Sequence, residues 1–205
     1  MRFPMSCKGQ GTTTTTTCIN QIKGKWYTHY VLGQYSPWKT FDCQTNEILY
    51  KRKGKTANVT SRFIISGADL PVEWNGTVLA ANTSIGKFEF DYITDGWFFT
   101  QNTQFLQTSS KGAALAWTCL DFGIFHIESI AVMTKYQDPN DIRIPPSIIR
   151  KMHDLLLKAG ISPTWFEPIV QENCDYQNFS SSQPVSVAKS LRHFVPTDFL
   201  KQLSK

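Results

Sequence analysis

Hydrophobic and polar residues alternate in short runs along most of the chain, and glycines separate these runs at regular intervals. The first run opens with Gly24-Lys25-Trp26-Tyr27 and extends to about Gly33. Alternating runs bounded by turn residues are typical of half-buried β-strands. The pattern predicts eight strands, at residues 24–33, 47–52, 58–65, 77–81, 87–93, 97–106, 113–120 and 125–135.

One segment follows a helical spacing instead of strict alternation. After Pro145-Pro146, apolar residues recur every three or four positions, as on one face of an α-helix: Ile148, Ile149, Met152, Leu155, Leu156 and Ala159. Proline is tolerated in the first helical turn, and Gly160 suits a C-terminal cap. We therefore predict one helix near residues 146–160, with its apolar stripe packed on the outside of the strands.

Eight strands followed by one helix is the order of elements in lipocalins. An eight-stranded barrel is wide enough to enclose one small ligand. We therefore expect an all-β protein, an eight-stranded antiparallel lipocalin-type barrel with one C-terminal α-helix, over residues 21–176. Residues 1–20 are expected to be a disordered or truncated lead-in, and residues 177–205, which are Ser-rich and then basic, a flexible tail.

Charge and composition argue against nucleic-acid binding, a membrane helix and a metal site. The net charge of +5 is modest for 205 residues, and the basic cluster at residues 51–55 is expected at a hairpin turn. The chain lacks the interleaved basic and aromatic residues typical of RNA binding, so we expect no nucleic-acid partner. No run approaches the ~18 apolar residues of a membrane helix. The four histidines have no metal-ligand spacing, and we expect no metal.

The five cysteines indicate a disulfide and not a metal site, because none is spaced as C-x-x-C. Cys119 lies in an apolar run and is expected in the core or the wall of the barrel. Cys43 and Cys174 each lie beside polar, turn-like residues, and we expect them to pair. On the chain-entropy model such a distant cross-link stabilises the fold by ~4–5 kcal/mol, and it implies an oxidising compartment. Cys7 and Cys18 are expected to pair with each other or with partners outside this chain.

Four blocks of sequence together resemble the lipocalin domain of violaxanthin de-epoxidase and its relatives. They are Gly24-Lys25-Trp26-Tyr27, Phe41-Asp42-Cys43-Gln44, Asp95-Gly96-Trp97-Phe98, and Ala131-Val132-Met133-Thr134-Lys135 followed by Pro145 to Gly160 and Cys174. The resemblance covers about residues 20–176. The Asp-Cys-Gln block is its most specific element, because ordinary lipocalins lack it.

The resemblance implies a xanthophyll de-epoxidase-type oxidoreductase. Such an enzyme reduces a carotenoid epoxide, with ascorbate as co-substrate, in the acidified thylakoid lumen of the chloroplast. The two catalytic aspartates of the family fall on Asp42 and Asp95 here, and the Cys43–Cys174 pairing matches a family disulfide. The resemblance also implies a homodimer, in which two barrels share one long polyene, and contact with a galactolipid membrane surface.

The residue types suit this chemistry. Opening an epoxide requires a proton on its oxygen, and an aspartic acid that burial keeps protonated near about pH 5 can supply it. Trp97, Phe98 and Trp117 offer flat apolar surface to a polyene. Gln44 suits a role in orienting a carboxyl group or a ligand hydroxyl.

Three positions depart from the family pattern and keep two alternatives open. Lys39 stands where the enzymes carry an acid, and a cation there lowers the pKa of Asp42. Trp117 and Met133 replace aromatic hydroxyls of the family cavity. These departures favour a non-catalytic lipocalin that binds a carotenoid or lipid, whereas Asp42 and Asp95 favour the enzyme. A carotenoid isomerase that opens the epoxide without a reductant is the other alternative.

Overall fold

Eight antiparallel strands close into a barrel in the computed structural model of the chain. The structure describes residues 21–33, 41–50, 56–66, 70–82, 86–94, 97–109, 112–121, 126–138 and 146–175. The strands are β1 (Gly24–Gly33), β2 (Phe41–Tyr50), β3 (Thr56–Ile65), β4 (Leu70–Asn82), β5 (Lys87–Thr94), β6 (Trp97–Ser109), β7 (Ala113–Asp121) and β8 (His126–Thr134). They are followed by helix α1 (Pro146–Lys158), a 3-10 turn (Pro163–Trp165) and a short strand β9 (Glu167–Pro168).

Each strand from β2 to β8 pairs with the next along the chain, and β1 pairs with both β8 and β2 to close the barrel. The predicted eight-stranded antiparallel barrel with one helix is confirmed. The predicted lead-in at residues 1–20 and the tail from residue 177 lie outside the described residues. In the part of the chain that the structure describes, no helix is long and apolar enough to cross a membrane.

Two strands begin earlier than their sequence pattern predicts. β2 starts at Phe41 within an expected loop, and β4 starts at Leu70 although only residues 77–81 were expected. The sequence pattern does not predict the start of β4, because Pro71 argues against a strand there. Pro71 lies opposite Ile64 of β3, before β4 reaches its first partner on β5 at Asn75. A missing N–H is tolerated there because that part of β4 behaves as an edge.

Gly76 lets β4 pass close to β5. A Cβ atom at this position would lie 2.1 Å from the carbonyl oxygen of Asp91. No side chain fits at that distance, so the register between these two strands requires glycine at position 76.

Trp26 closes the end of the barrel at which β1 begins. Its side chain is 1% exposed, and its Nε1 donates a hydrogen bond to the Ile22 carbonyl at 2.6 Å. The Lys135 ammonium lies 5.1 Å from the centre of the indole ring, within the range of a cation–π contact. The chain therefore seals this end with one large aromatic group that has its polar atom satisfied.

Helix α1 packs on the outside of the barrel, as its stripe predicts. Met152 and Leu156 are buried in a cluster with residues of β6, β7 and β8: Leu106, Ala113, Leu115 and Ile130. Ile149, expected in the same stripe, is 54% exposed, so the buried face is narrower than predicted. Gly160 ends the helix with φ +72°, and the Ile161 N–H bonds the Leu156 carbonyl at 2.9 Å, which is a Schellman cap.

Residues 167–175, which we call the closing segment, fill a gap between β1 and β2. These two strands pair only from Gly24 to Tyr27, and beyond that point they diverge. Strand β9 pairs with β1 at Tyr30 and Val31. On the other side, the Cys43 N–H donates to the Val170 carbonyl at 2.8 Å. The closing segment thus satisfies backbone groups that the divergence of β1 and β2 would leave unpaired.

A disulfide and a buried amide hold the closing segment in place. Cys43 and Cys174 are bonded, with their Cα atoms 5.5 Å apart, which confirms the predicted pairing. Gln171, 5% exposed, donates from Nε2 to the carbonyls of Thr28 at 2.6 Å and Gln44 at 3.0 Å. Cys119 lies half-buried on β7 outside the disulfide, as expected for a residue of the core or the wall. Cys7 and Cys18 lie outside the described residues.

Candidate ligand-binding site

The barrel encloses a cavity of about 50 Å³ to which all eight strands contribute side chains. The lining residues are Trp26, Thr28, Val31, Gln44, Asn46, Ile48, Ser61, Phe63, Trp74, Phe90, Gln101, Thr103, Phe105, Ala116, Thr118, Ser129, Ala131 and Met133. Ten of these eighteen are apolar, eight are Thr, Ser, Asn or Gln, and none of the described lining residues is charged. An interior of this kind suits an apolar molecule that carries uncharged polar groups.

Aromatic rings occupy much of the interior. Phe63 packs edge-on against Trp74 with ring centres 4.8 Å apart, and Trp74 packs against Phe99 at 4.9 Å. The remaining 50 Å³ is small beside the ~300–1,000 Å³ of sites for drug-sized ligands. The cavity therefore accommodates a compact group or one end of a longer molecule.

Three hydroxyl-bearing residues form a row across one wall. Thr103 of β6 pairs with Thr118 of β7, and Thr118 pairs with Ser129 of β8. All three are buried and line the cavity, and Gln101 donates to the Thr103 hydroxyl at 3.1 Å. Side chains directly opposite each other on neighbouring strands share a face of the sheet, so the row follows from strand register.

A second polar group lies on β2, β3 and β5. The Ser61 hydroxyl donates to the Asn46 side-chain carbonyl at 2.6 Å and also lies 2.8 Å from the Tyr92 hydroxyl. Burial raises the pKa of Tyr92, so its hydroxyl stays protonated. This group satisfies its own hydrogen bonds and is neutral.

Three other polar atoms of the lining have no hydrogen-bond partner among the residues that the structure describes. They are Thr28 Oγ1, Gln44 Oε1 and Trp74 Nε1, and each atom is buried. A buried polar atom without a partner costs about 1–3 kcal/mol. A ligand group that bonds these atoms would remove that cost, so they mark the candidate polar contacts of the site.

A bulge in β2 decides which of its residues face the cavity. Asp42 pairs with Ile64 and Thr45 with Arg62, so Cys43 and Gln44 together lie opposite one residue of β3. Cys43 has φ +55°, an uncommon value for a residue other than glycine. The bulge shifts the alternation by one position. As a result Gln44 lines the cavity together with Asn46 and Ile48, whereas Asp42, only two positions earlier, lies outside it.

Asp42 is not among the lining residues of the cavity. Its carboxylate accepts hydrogen bonds from the Ser66 hydroxyl at 2.5 Å and from the Val170 N–H at 3.3 Å. It therefore attaches the closing segment to β2 instead of facing a ligand. Asp95, the second predicted catalytic residue, lies outside the described residues, so its role stays a prediction.

The predicted substrate-binding residues divide between the two faces of the barrel. Gln44 lines the cavity, as expected. Phe98 is 64% exposed, and Trp117 packs against the cluster beneath helix α1, so both lie on the outer face. Their neighbours in the strand alternation, Phe99 and Thr118, are the residues that face inward. Trp97 lies in β6, but its side chain is outside the part of the chain that the structure describes.

Most of the residues that line the cavity were not predicted from the sequence. Thr103, Thr118 and Ser129 lie at inward positions of predicted strands, and alternation relates them to the lining residues Gln101, Ala116 and Ala131 of the same strands. Trp74 lies in the part of β4 that was not predicted. Among the described residues, no group of three His, Cys, Asp or Glu side chains is placed to hold a metal ion.

The sequence matches no protein-family model and no curated protein. The structure, however, is similar to solved lipocalins. Lobster apocrustacyanin A1 has a TM-score of 0.57 and 16% identity, over 87% of this chain and 96% of that chain. The bovine lipocalin allergen Bos d 2 has a TM-score of 0.53 and 11% identity, over 76% and 97%. Insecticyanin from the tobacco hornworm Manduca sexta has a TM-score of 0.55 and 18% identity, over 74% and 79%.

These similarities establish that the chain has the lipocalin fold, and nothing in them points to violaxanthin de-epoxidase. The expectation that the protein is an oxidoreductase is wrong, because these structural neighbours are crustacyanin, a lipocalin allergen and insecticyanin, not oxidoreductases. Among the described residues that line the cavity, none is acidic. The ascorbate co-substrate and the thylakoid lumen stay untested, and a homodimer and a galactolipid surface have no support.

Proposed function

We propose that this protein is a non-catalytic lipocalin that binds an apolar ligand, of the carotenoid or lipid type, inside the barrel. The observation that carries the proposal is the closed interior, where apolar side chains surround three unpartnered polar atoms. Apolar contact with the lining supplies affinity, and a few polar groups orient the ligand. This is binding without chemistry, since the described lining holds no ionisable group.

The size of the cavity constrains how such a ligand binds. A whole carotenoid or long-chain lipid does not fit within about 50 Å³. Trp26 seals one end of the barrel. A long ligand would therefore place one end in the cavity and extend out of the barrel at the opposite end. A compact apolar molecule would be enclosed entirely.

The proposal is tested with N-phenyl-1-naphthylamine, an uncharged fluorophore whose emission rises in apolar surroundings. We expect saturable binding that carotenoids or lipids displace. Ala116, which is 1% exposed and lines the cavity, is the site for a filling variant. Ala116→Phe places a ring in the cavity and is expected to weaken binding at least tenfold. Ala116→Val serves as the milder variant if the larger one does not fold.

Thr77→Phe is the matched control, because Thr77 is exposed on the outer face of β4. It should leave fluorophore binding within twofold of the wild type. Equal binding to the wild type and to Ala116→Phe would show that the fluorophore binds elsewhere. Absence of any saturable binding would contradict the proposed function itself.

A further inference from the structure

We infer that the barrel selects an uncharged ligand with a hydroxyl or carbonyl group, which Trp74, Gln44 and Thr28 bind inside the cavity. This inference rests on the proposed function and specifies the chemical class of its ligand. It has two independent supports: the distribution of charge between the two faces of the barrel, and the positions of the unpartnered polar atoms.

Charged side chains of the strands lie on the outer face. Arg62 pairs with Glu73 at 2.8 Å and with Glu47 at 3.3 Å, and its neighbours Ser61 and Phe63 are the residues that line the cavity. The cavity-lining residues of the other described strands are likewise apolar or uncharged. A carboxylate or ammonium group in the cavity would therefore be removed from water without meeting an opposite charge, which disfavours the ionised form strongly.

The unpartnered atoms supply one donor, one acceptor and one hydroxyl. Trp74 Nε1, on a residue that is 7% exposed, can only donate, and Gln44 Oε1 can only accept. Thr28 Oγ1, on a residue that is 1% exposed, can do either. A ligand hydroxyl matches this set because it accepts one hydrogen bond and donates another. A carbonyl matches the two donors.

Several other polar groups of the interior already have hydrogen-bond partners among the described residues. Ser61 bonds Asn46 and Tyr92, and Gln101 bonds Thr103. The unpartnered set is therefore distinct from the rest of the polar lining. Binding through it gives specificity, because a ligand without a polar group would leave the same three atoms buried and unbonded.

The test compares three molecules that share one slim alkyl chain: 1-decanol, methyl decanoate and decanoate. Each displaces N-phenyl-1-naphthylamine from the wild-type protein at pH 8, where the carboxyl group of decanoate is ionised. We expect the alcohol and the ester to compete at least tenfold more strongly than the acid. Equal or stronger competition by decanoate would overturn the inference, and so would failure of the alcohol to compete.

Single variants test the residues. Trp74→Phe removes Nε1 and keeps an aromatic ring, and Thr28→Val removes the hydroxyl at nearly constant volume. Each should weaken 1-decanol at least threefold more than it weakens the fluorophore, whose affinity for the same variant is measured by direct titration. Trp165→Phe, at a site that is 57% exposed, is the control and should change neither.

Unchanged 1-decanol binding in both variants would overturn the assignment of these residues. The experiment distinguishes failure of the proposed function from failure of the inferred ligand class. If the fluorophore itself does not bind, the proposed function fails. If the fluorophore binds but the acid equals the alcohol, only the selection of an uncharged ligand fails.

Discussion

Loss of the Cys43–Cys174 disulfide is expected to be the most damaging change to this barrel that leaves its hydrophobic core untouched. The bond joins β2 to the closing segment across 131 positions of sequence. Without it, the closing segment is held by backbone and side-chain hydrogen bonds, including those of Gln171 to the Thr28 and Gln44 carbonyls. The variant Cys43→Ser/Cys174→Ser removes the bond without leaving an unpaired thiol at either position.

The expected magnitude follows from the length of the loop that the disulfide closes. On the chain-entropy model, a separation of 131 residues corresponds to about 5 kcal/mol of the free energy of unfolding. For a protein of this size, 1 kcal/mol shifts the melting temperature by about 2–4 °C. The double variant should therefore melt about 10–20 °C below the wild type.

The assay is urea denaturation together with a thermal melt, each followed by near-ultraviolet circular dichroism. Cys119→Ser is the control, because Cys119 lies within the same loop but outside the disulfide, and its replacement should cost far less. A loss below about 1 kcal/mol in the double variant would refute the reasoning. It would mean that the hydrogen bonds of the closing segment alone keep β1 and β2 in place.

Two further predictions concern backbone packing and pH. Gly76→Ala should destabilise the protein by several kcal/mol, since its Cβ would lie 2.1 Å from the Asp91 carbonyl, whereas Gly160→Ala, at φ +72° with nothing within 4 Å, should cost about 1 kcal/mol in the same denaturation assay. Equal losses would contradict the close approach of β4 and β5. Burial lowers the pKa of His29 from its usual value near 6.5, and a hydrogen bond donated by its Nε2 to the Tyr136 carbonyl opposes this shift only in part. The unfolded state therefore takes up the proton first, so stability should be full above about pH 6.5 and fall below it, and His29→Gln should flatten that decline.

The resemblance to de-epoxidases and the structure agree on local features and differ on chemistry. The Asp-Cys-Gln block of β2 is a real structural unit: Asp42 and Cys43 hold the closing segment, and Gln44 faces the cavity. From sequence alone the aspartate and the glutamine look equally suited to a ligand. The bulge at Cys43 separates them, because it places the two side chains on different faces of the barrel.

Strand and helix periodicity were enough to predict the class of fold. Alternation marked all eight strands, and the 3.6-residue spacing with Gly160 marked the helix and its end. These signals are local: each depends on residues a few positions apart, and burial of one face enforces them. The early start of β4 was not predicted, because a proline normally indicates a break in a strand. Pro71 is tolerated in β4 because β5 does not pair with β4 at that position.

The amino-acid sequence by itself therefore determined the barrel, its helix and its disulfide, since each depends on local pattern or on the context of two cysteines. Only the tertiary structure decided what the interior contacts. Whether Trp117 faces in or out depends on the register between β6, β7 and β8, and a shift of one residue reverses every side chain. That Thr28, Gln44 and Trp74 line one cavity likewise depends on the pairing of strands far apart in sequence and on closure of the barrel, which the residues around each of them do not encode.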